Sequence, residues 1–298
     1  MKNTLIAVLV IIIIALIGVG AHFLLKPGVA KVPVETVTTK PQEVTVATST
    51  RNSPIEVIGT SVSGHAINAY HYGTGTTELL FVGGIHGGYS WNTSLVAYQF
   101  MDYLEANPSA VPANERVTII PELDPDGLAK IIGHDGRFQA SDIPAGVNTV
   151  PGRFNGNGVD VNRNFDCDWK ASGVWQNQTV SGGSSAFSEP ESQAIRDYTA
   201  AHSLTAVISW FSSAGGVYAS NCHDGVLPET ETLTNLYAKA SGYKPYESYD
   251  FYQLTGDMAN WFAKKGIPAI SVLLTTHTDT EWSKNQPGIA AVLAHYAK

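Results

Sequence analysis

Charge is scarce in this chain. Lys, Arg, Asp and Glu together make up 15% of its 298 residues, and the formal net charge is -8. No cluster of Lys or Arg occurs, which excludes a nucleic-acid face built on phosphate neutralisation. Cysteine is scarcer still, with two residues, Cys167 and Cys222. Two cysteines allow a single intramolecular pairing, and the choice between a disulfide and two buried thiols rests on a distance that a sequence does not contain. Neither lies near the amino terminus, so a lipid-modified cysteine of the bacterial lipoprotein kind is not supported. There is also no internal repeat. What is present in quantity is apolar surface, 44% of residues, enough to bury the core of one large domain. Gly, Ser, Thr and Tyr are plentiful, a composition that leans towards an exported protein.

The amino terminus carries the one long apolar run. Leu5 to Ala21 is uninterrupted apolar or glycine, and Phe23 to Leu25 extend it, with Lys2 before and Lys26 after. About 20 apolar residues cross a bilayer. The run is therefore expected to hold the chain in a membrane through residues 5–25, as an uncleaved anchor. A secretory signal cleaved near Val19-Gly20-Ala21 is the alternative. Both readings put the rest of the chain on the extracytoplasmic face. Residues 27–50 are rich in Thr, Val, Lys and Pro and lack aromatics and helical periodicity, which reads as an extended stalk. The organisation expected is thus 1–26 anchor or signal, 27–50 stalk and 51–298 a folded domain.

Within that domain the pattern alternates. Leu79–Val82, Val117–Ile120, Leu204–Trp210 and Pro268–Leu274 read as short buried strands. Ser94–Leu104, Pro190–Ala201, Thr230–Ala240, Met258–Lys265 and Pro287–Tyr296 read as helices. Alternation of this kind implies an α/β domain with a parallel or mixed sheet, whose ligand site sits beyond the carboxyl ends of the strands. His86, Phe211 and Leu273 fall at or near such ends. His202 precedes its strand and belongs at the opposite end. Glu189 and Glu191 lie at a helix start, where negative charge is favoured, and that role outranks a paired-carboxylate site.

Three segments carry a further signal: Gly83-Gly84-Ile85-His86-Gly87-Gly88, Gly158-Val159-Asp160-Val161-Asn162-Arg163-Asn164-Phe165 and Phe187-Ser188-Glu189-Pro190-Glu191. In order and spacing they resemble the M14, carboxypeptidase A-like, zinc carboxypeptidases over about residues 55–298. The resemblance implies a mixed eight-stranded sheet with helices on both faces, and an enzyme that removes C-terminal residues or trims cell-wall peptides. It matches His86 to the first zinc ligand. It places Ser90, taken with a loop one residue longer, where a carboxylate ligand is expected, Phe211 at the second histidine and Leu273 at the catalytic glutamate. Phenylalanine and leucine offer no lone pair, so His86 is a vestigial ligand and no zinc cofactor is expected in this member. By the same resemblance Asn162 and Arg163 hold a substrate's terminal carboxylate, Arg153 polarises the scissile carbonyl, Tyr252 closes over the substrate, Ala259 floors the side-chain pocket and Asp257 lines its wall. The reading that follows is a domain that binds peptides through a free C-terminal carboxylate without hydrolysing them. An active metallocarboxypeptidase, or an altered form of an active parent, is the alternative.

Overall fold

The computed structural model of the chain describes residues 54–298. The expected anchor and stalk lie outside those residues. Among the described residues no helix is long and apolar enough to cross a membrane.

The first two strands, β1 (Ile55–Thr60) and β2 (Ala66–Tyr72), form an antiparallel pair. They are followed by β3 (Thr77–Val82), α1 (Trp91–Ala106), β4 (Glu115–Ile120) and α2 (Pro125–Ile132). A long irregular stretch then carries the small hairpin β5 (Ser172–Trp175) and β6 (Gln178–Ser181). The chain continues through α3 (Pro190–Ala201), β7 (Leu204–Ser212), β8 (Gly216–Ala219), α4 (Pro228–Ser241), β9 (Pro245–Tyr246), α5 (Met258–Lys264), β10 (Ala269–Leu274) and α6 (Trp282–Tyr296). Eight of the strands make one mixed sheet in the order β1-β2-β4-β3-β7-β10-β8-β9.

The centre of this sheet is parallel: β4, β3, β7 and β10 run the same way. Both faces of a parallel sheet are covered, so such strands need apolar side chains on both sides. Alternate residues therefore serve two separate cores. Ala206, Ile208 and Trp210 of β7 and Ile270, Val272 and Leu274 of β10 pack in the core that holds Phe100, Tyr237 and Ile289 of α1, α4 and α6. Val207, Phe211, Ala269 and Leu273 pack in the other, with Ile195 of α3 and Met258 and Phe262 of α5. Phe211 and Leu273 stand opposite each other in register at the carboxyl end of the sheet.

Helix ends depart from the sequence reading where caps decide. The closing helix starts at Trp282 rather than Pro287, and the proline lies inside it. Glu281 takes a left-handed conformation, and its carbonyl accepts from the amides of Lys284 and Asn285, which nucleates a turn ahead of the proline. The helix expected over Ser94–Leu104 begins at Trp91, with Ser90 at its N-cap. The pair Cys167 and Cys222 is bonded, with the Cα atoms 6.1 Å apart.

Candidate functional site

At the carboxyl ends of β3, β7 and β10 a cavity of about 490 Å³ opens. Its deepest side chains come from the three strand ends. The turn after β3 packs against α1 and α2, and Gly84 there has φ +63, with Ser94 Oγ only 2.6 Å from where a Cβ would sit. Glycine alone meets both conditions. The turn delivers His86 to the cavity, 5% exposed. Phe211 meets the imidazole edge-on, ring centres 5.8 Å apart, and Leu273 lies beside Phe211. His86, Phe211 and Leu273, chosen from strand ends in the sequence, thus share one cavity.

The polar wall is built by the irregular stretch between α2 and α3. Asp160, wholly buried, receives Nε and Nη2 of Arg153 at 3.0 and 2.8 Å on its Oδ2. Its Oδ1 faces His86 Nε2 at 3.3 Å, but the geometry is not that of a hydrogen bond, and both imidazole nitrogens lack a hydrogen-bond partner among the described residues. Burial alone would raise the Asp160 pKa. The charge of Arg153 and the nearby imidazole outweigh it and hold the carboxyl well below its usual range. Burial, reinforced by the charge of Arg153, lowers His86 to about 4, against the pull of Asp160. His86 is therefore neutral at physiological pH. Arg153 also lies 4.4 Å over the Trp175 ring and 5.6 Å over that of Tyr89. The β5–β6 hairpin supplies Trp175 and Gln176 to this wall.

The other expected site residues divide. Asn162, Asp257 and Tyr252 line the cavity. Asn162 is tied down on both sides, donating to Asp257 Oδ2 at 2.8 Å and accepting from the Met258 amide at 3.0 Å. Asp257 also caps α5 through the Asn260 amide, and burial pushes its carboxyl above the usual range against these bonds. Arg163 and Ala259 are buried and do not line the cavity. The Arg163 guanidinium lies behind Tyr252, 5.2 Å from its ring, and donates to the backbone carbonyls of Gln253 and Val174 at 3.1 and 3.0 Å. The arginine that faces the cavity is Arg153. Ser90 is likewise withdrawn: it is 1% exposed at the start of α1 and its hydroxyl has no partner. Tyr89, one residue earlier, fills the place in the cavity that a loop without the extra residue assigns.

One functional candidate escaped sequence reasoning. His277, three residues past β10, lines the cavity with its ring 4.5 Å from Tyr89 and its Nδ1 2.9 Å from Ser212 Oγ. Only its proximity to the end of a central strand pointed to it. His202 and His223 stay outside, paired with Glu78 and Asp168.

A catalytic zinc needs three protein ligands and an open position. The positions that the family pattern uses carry one imidazole, a phenol whose pKa burial raises, and two apolar side chains, and His277, the cavity's other imidazole, bonds Ser212 through Nδ1. These residues do not fit zinc. Among the described residues no group of three His, Cys, Asp or Glu side chains is arranged for a metal ion.

The profile of the zinc carboxypeptidase family, peptidase M14, matches residues 38–281. Gamma-D-glutamyl-L-diamino acid endopeptidase 1 of Lysinibacillus sphaericus is 26% identical over 226 residues, 69% of this chain; the chain spans about 56% of the length of that relative. Among solved structures, the murein-tripeptide amidase MpaA of Escherichia coli O157 superposes with a TM-score of 0.57 at 20% identity, over 83% of this chain and 95% of that one. Bovine thrombin-activatable fibrinolysis inhibitor, in complex with tick carboxypeptidase inhibitor, gives 0.61 at 16% identity, over 81% and 89%. At these identities the structural likeness speaks for the fold.

Proposed function

The chain belongs to the zinc carboxypeptidase family, a zinc-dependent one, and from that premise we propose that its cavity binds peptide C-termini without cleaving them. The observation that carries the reading is the asymmetry of the cavity. Arg153 is kept, held by Asp160 and lining the cavity, while the strand ends expected to carry the second histidine ligand and the catalytic base present Phe211 and Leu273. Without the metal there is no Lewis acid and no activated water, and without a carboxyl at position 273 there is no positioned base on β10.

Binding needs less. Nη1 of Arg153 makes no hydrogen bond among the described residues, and a carboxylate meeting it forms a charge-assisted bond in a cavity walled by Trp175, Tyr89 and Tyr252. Asp160 takes two of the five guanidinium N–H groups, one on Nε and one on Nη2, so the Nη1 and Nη2 edge is left for a ligand. The long apolar amino-terminal run supports an extracytoplasmic location, as an anchored or secreted protein, and the relatives' names make γ-D-glutamyl-diamino acid and murein-type peptides the first ligands to try.

The test is calorimetry on a panel of such peptides, each with a free or an amidated C-terminus. Amidation and Arg153→Ala are each expected to weaken binding about tenfold. Metal analysis and a C-terminal release assay accompany it. About one zinc per chain with chelator-sensitive turnover would overturn the reading in favour of an active peptidase. Loss of binding in Arg163→Ala but not Arg153→Ala would move the grip to the arginine behind Tyr252.

A further inference from the structure

His277 is part of a chain of three side chains whose protons can be assigned. The Asn92 amide donates through Nδ2 to the carbonyls of Thr276 and Asp279, at 2.8 and 2.9 Å. That pair of bonds fixes the flip of the amide, so its Oδ1 is the atom that faces Ser212 Oγ at 3.1 Å. Oδ1 only accepts. If Ser212 spent its one proton on His277, Oγ and Oδ1 would confront each other as two bare acceptors. The arrangement that satisfies every atom runs the other way: His277 Nδ1–H donates to Ser212 Oγ at 2.9 Å, and Ser212 O–H donates to Asn92 Oδ1. The imidazole is then held in the tautomer with Nδ1 protonated. Nε2 is left as a bare lone pair, with no partner among the described residues, on a ring that lines the cavity. Burial and the charge of Arg153 both lower the pKa of this ring, so it is neutral at pH 7.

The Tyr89 ring neighbours both groups, 4.5 Å from the imidazole of His277 and 5.6 Å from the guanidinium of Arg153. We infer that His277 Nε2 is the second recognition atom of the cavity, accepting the N–H of a ligand whose anion is held by Arg153, and that the ligand class is an acylated amino acid with a free carboxylate. Such a molecule carries its N–H one carbon away from the carboxylate, so one end of one residue addresses both groups. Ser212 and Asn92 are positioning residues: their hydrogen bonds set which imidazole nitrogen is bare. The inference rests on the C-terminus reading above and names its second contact.

Two measurements test it. Nitrogen-15 shifts of the histidines at pH 7 are expected to show His277 protonated at Nδ1, and Ser212→Ala to return the ring to the Nε2–H form that dominates in free imidazoles. A folded protein with His277 protonated at Nε2 overturns the inference. The second is binding of matched ligands in which the terminal amide is replaced by an ester, which deletes the N–H and keeps the carboxylate. The amide is expected to bind the native chain about tenfold better than the ester. The preference should vanish in His277→Ala and shrink in Ser212→Ala, while Thr278→Ala, an exposed neighbour that does not line the cavity, keeps it. Equal affinity for amide and ester in the native chain, or a preference that survives in His277→Ala, overturns this inference alone. Failure of both ligands to bind overturns the C-terminus reading and this inference with it.

Discussion

The two ends of the central parallel strands both bury histidines, in opposite conditions. At the amino ends, Glu78 on β3 accepts from Thr118 at 2.7 Å, from Tyr198, and from His202 Nδ1 at 3.1 Å. His71 joins through Thr118 at 3.0 Å and through Glu56 at 3.3 Å, and the His202 and Tyr198 rings stack 3.9 Å apart. Burial alone would raise Glu78, but the bonds from His202, Tyr198 and Thr118 outweigh it and lower its pKa to about 2. At the carboxyl ends, His86 is as deeply buried and neither nitrogen has a hydrogen bond. A buried polar group without a partner costs about 1–3 kcal/mol, so folds retain few of them. The Glu78 cluster has its polar groups paired with one another, although Glu115 at the start of β4 keeps both carboxylate oxygens unpartnered among the described residues. The carboxyl end carries an imbalance, a polar ring facing Phe211 and Leu273, where partners of another kind belong in the family pattern.

The comparison is sharpest in stability. Glu78→Ala should destabilise the domain by about 3–5 kcal/mol, since it removes the carboxylate that His202, Tyr198 and Thr118 share in the interior. Denaturant unfolding measures this, and a loss below about 1 kcal/mol would mean that the amino-end network contributes no more than the cavity end does.

Acid should act in two windows. The folded-state pKa of His86 lies at about 4, below its ordinary 6.5, so the unfolded chain binds the extra proton between those values. Stability should therefore fall as pH drops from 6.5 to 4, by roughly 3 kcal/mol from this residue. His71, whose pKa burial also lowers, adds to the same window. Glu78 behaves as a depressed carboxyl: its contribution is present above pH 4.5 and is lost as pH falls towards 2. In His86→Leu the upper phase should shrink while the lower one stays. An unchanged upper phase would place the acid sensitivity at the amino end alone.

The smallest effect is expected at Ser90. Its buried hydroxyl makes no hydrogen bond, so Ser90→Ala should change stability by no more than about 0.5 kcal/mol. A larger loss would reveal a partner for that hydroxyl and make Ser90 part of the satisfied interior.

Much of this architecture was legible because it is written in periodicity. The strands that hold the cavity read as apolar runs ending in Gly83, Phe211 and Leu274, and Pro190 announces α3 at the residue where it starts. The edge strand β1 and its neighbour β2 escaped because their alternation is weak: Val57 is 63% exposed, and His71 occupies a buried place that an apolar residue would have marked. Arg153, Asn162 and Tyr252, singled out from motif order, line the cavity. Arg163 does not, because its orientation depends on the carbonyls of Gln253 and Val174, which only tertiary folding brings near. The shift from Ser90 to Tyr89 is a matter of one residue in a loop, and loop length is what a single sequence specifies least. His277 was hidden for a related reason: its role comes from Asn92 and Ser212, each more than sixty positions away along the chain.

The bond between Cys167 and Cys222 joins residues 55 apart and closes a ring of chain. Inside that ring lie the β5–β6 hairpin, α3, β8 and the whole of β7, while β3 and β10, the strands that flank β7, lie outside it. The middle of the sheet is thus enclosed covalently while its neighbours are held only by hydrogen bonds and packing. A protease that cuts the exposed turn at Ser184-Ser185 opens the ring at one point and frees nothing. The nicked chain should migrate as one species on a gel without reductant and as two fragments with it. That linkage lets a molecule clipped inside the ring stay in one piece.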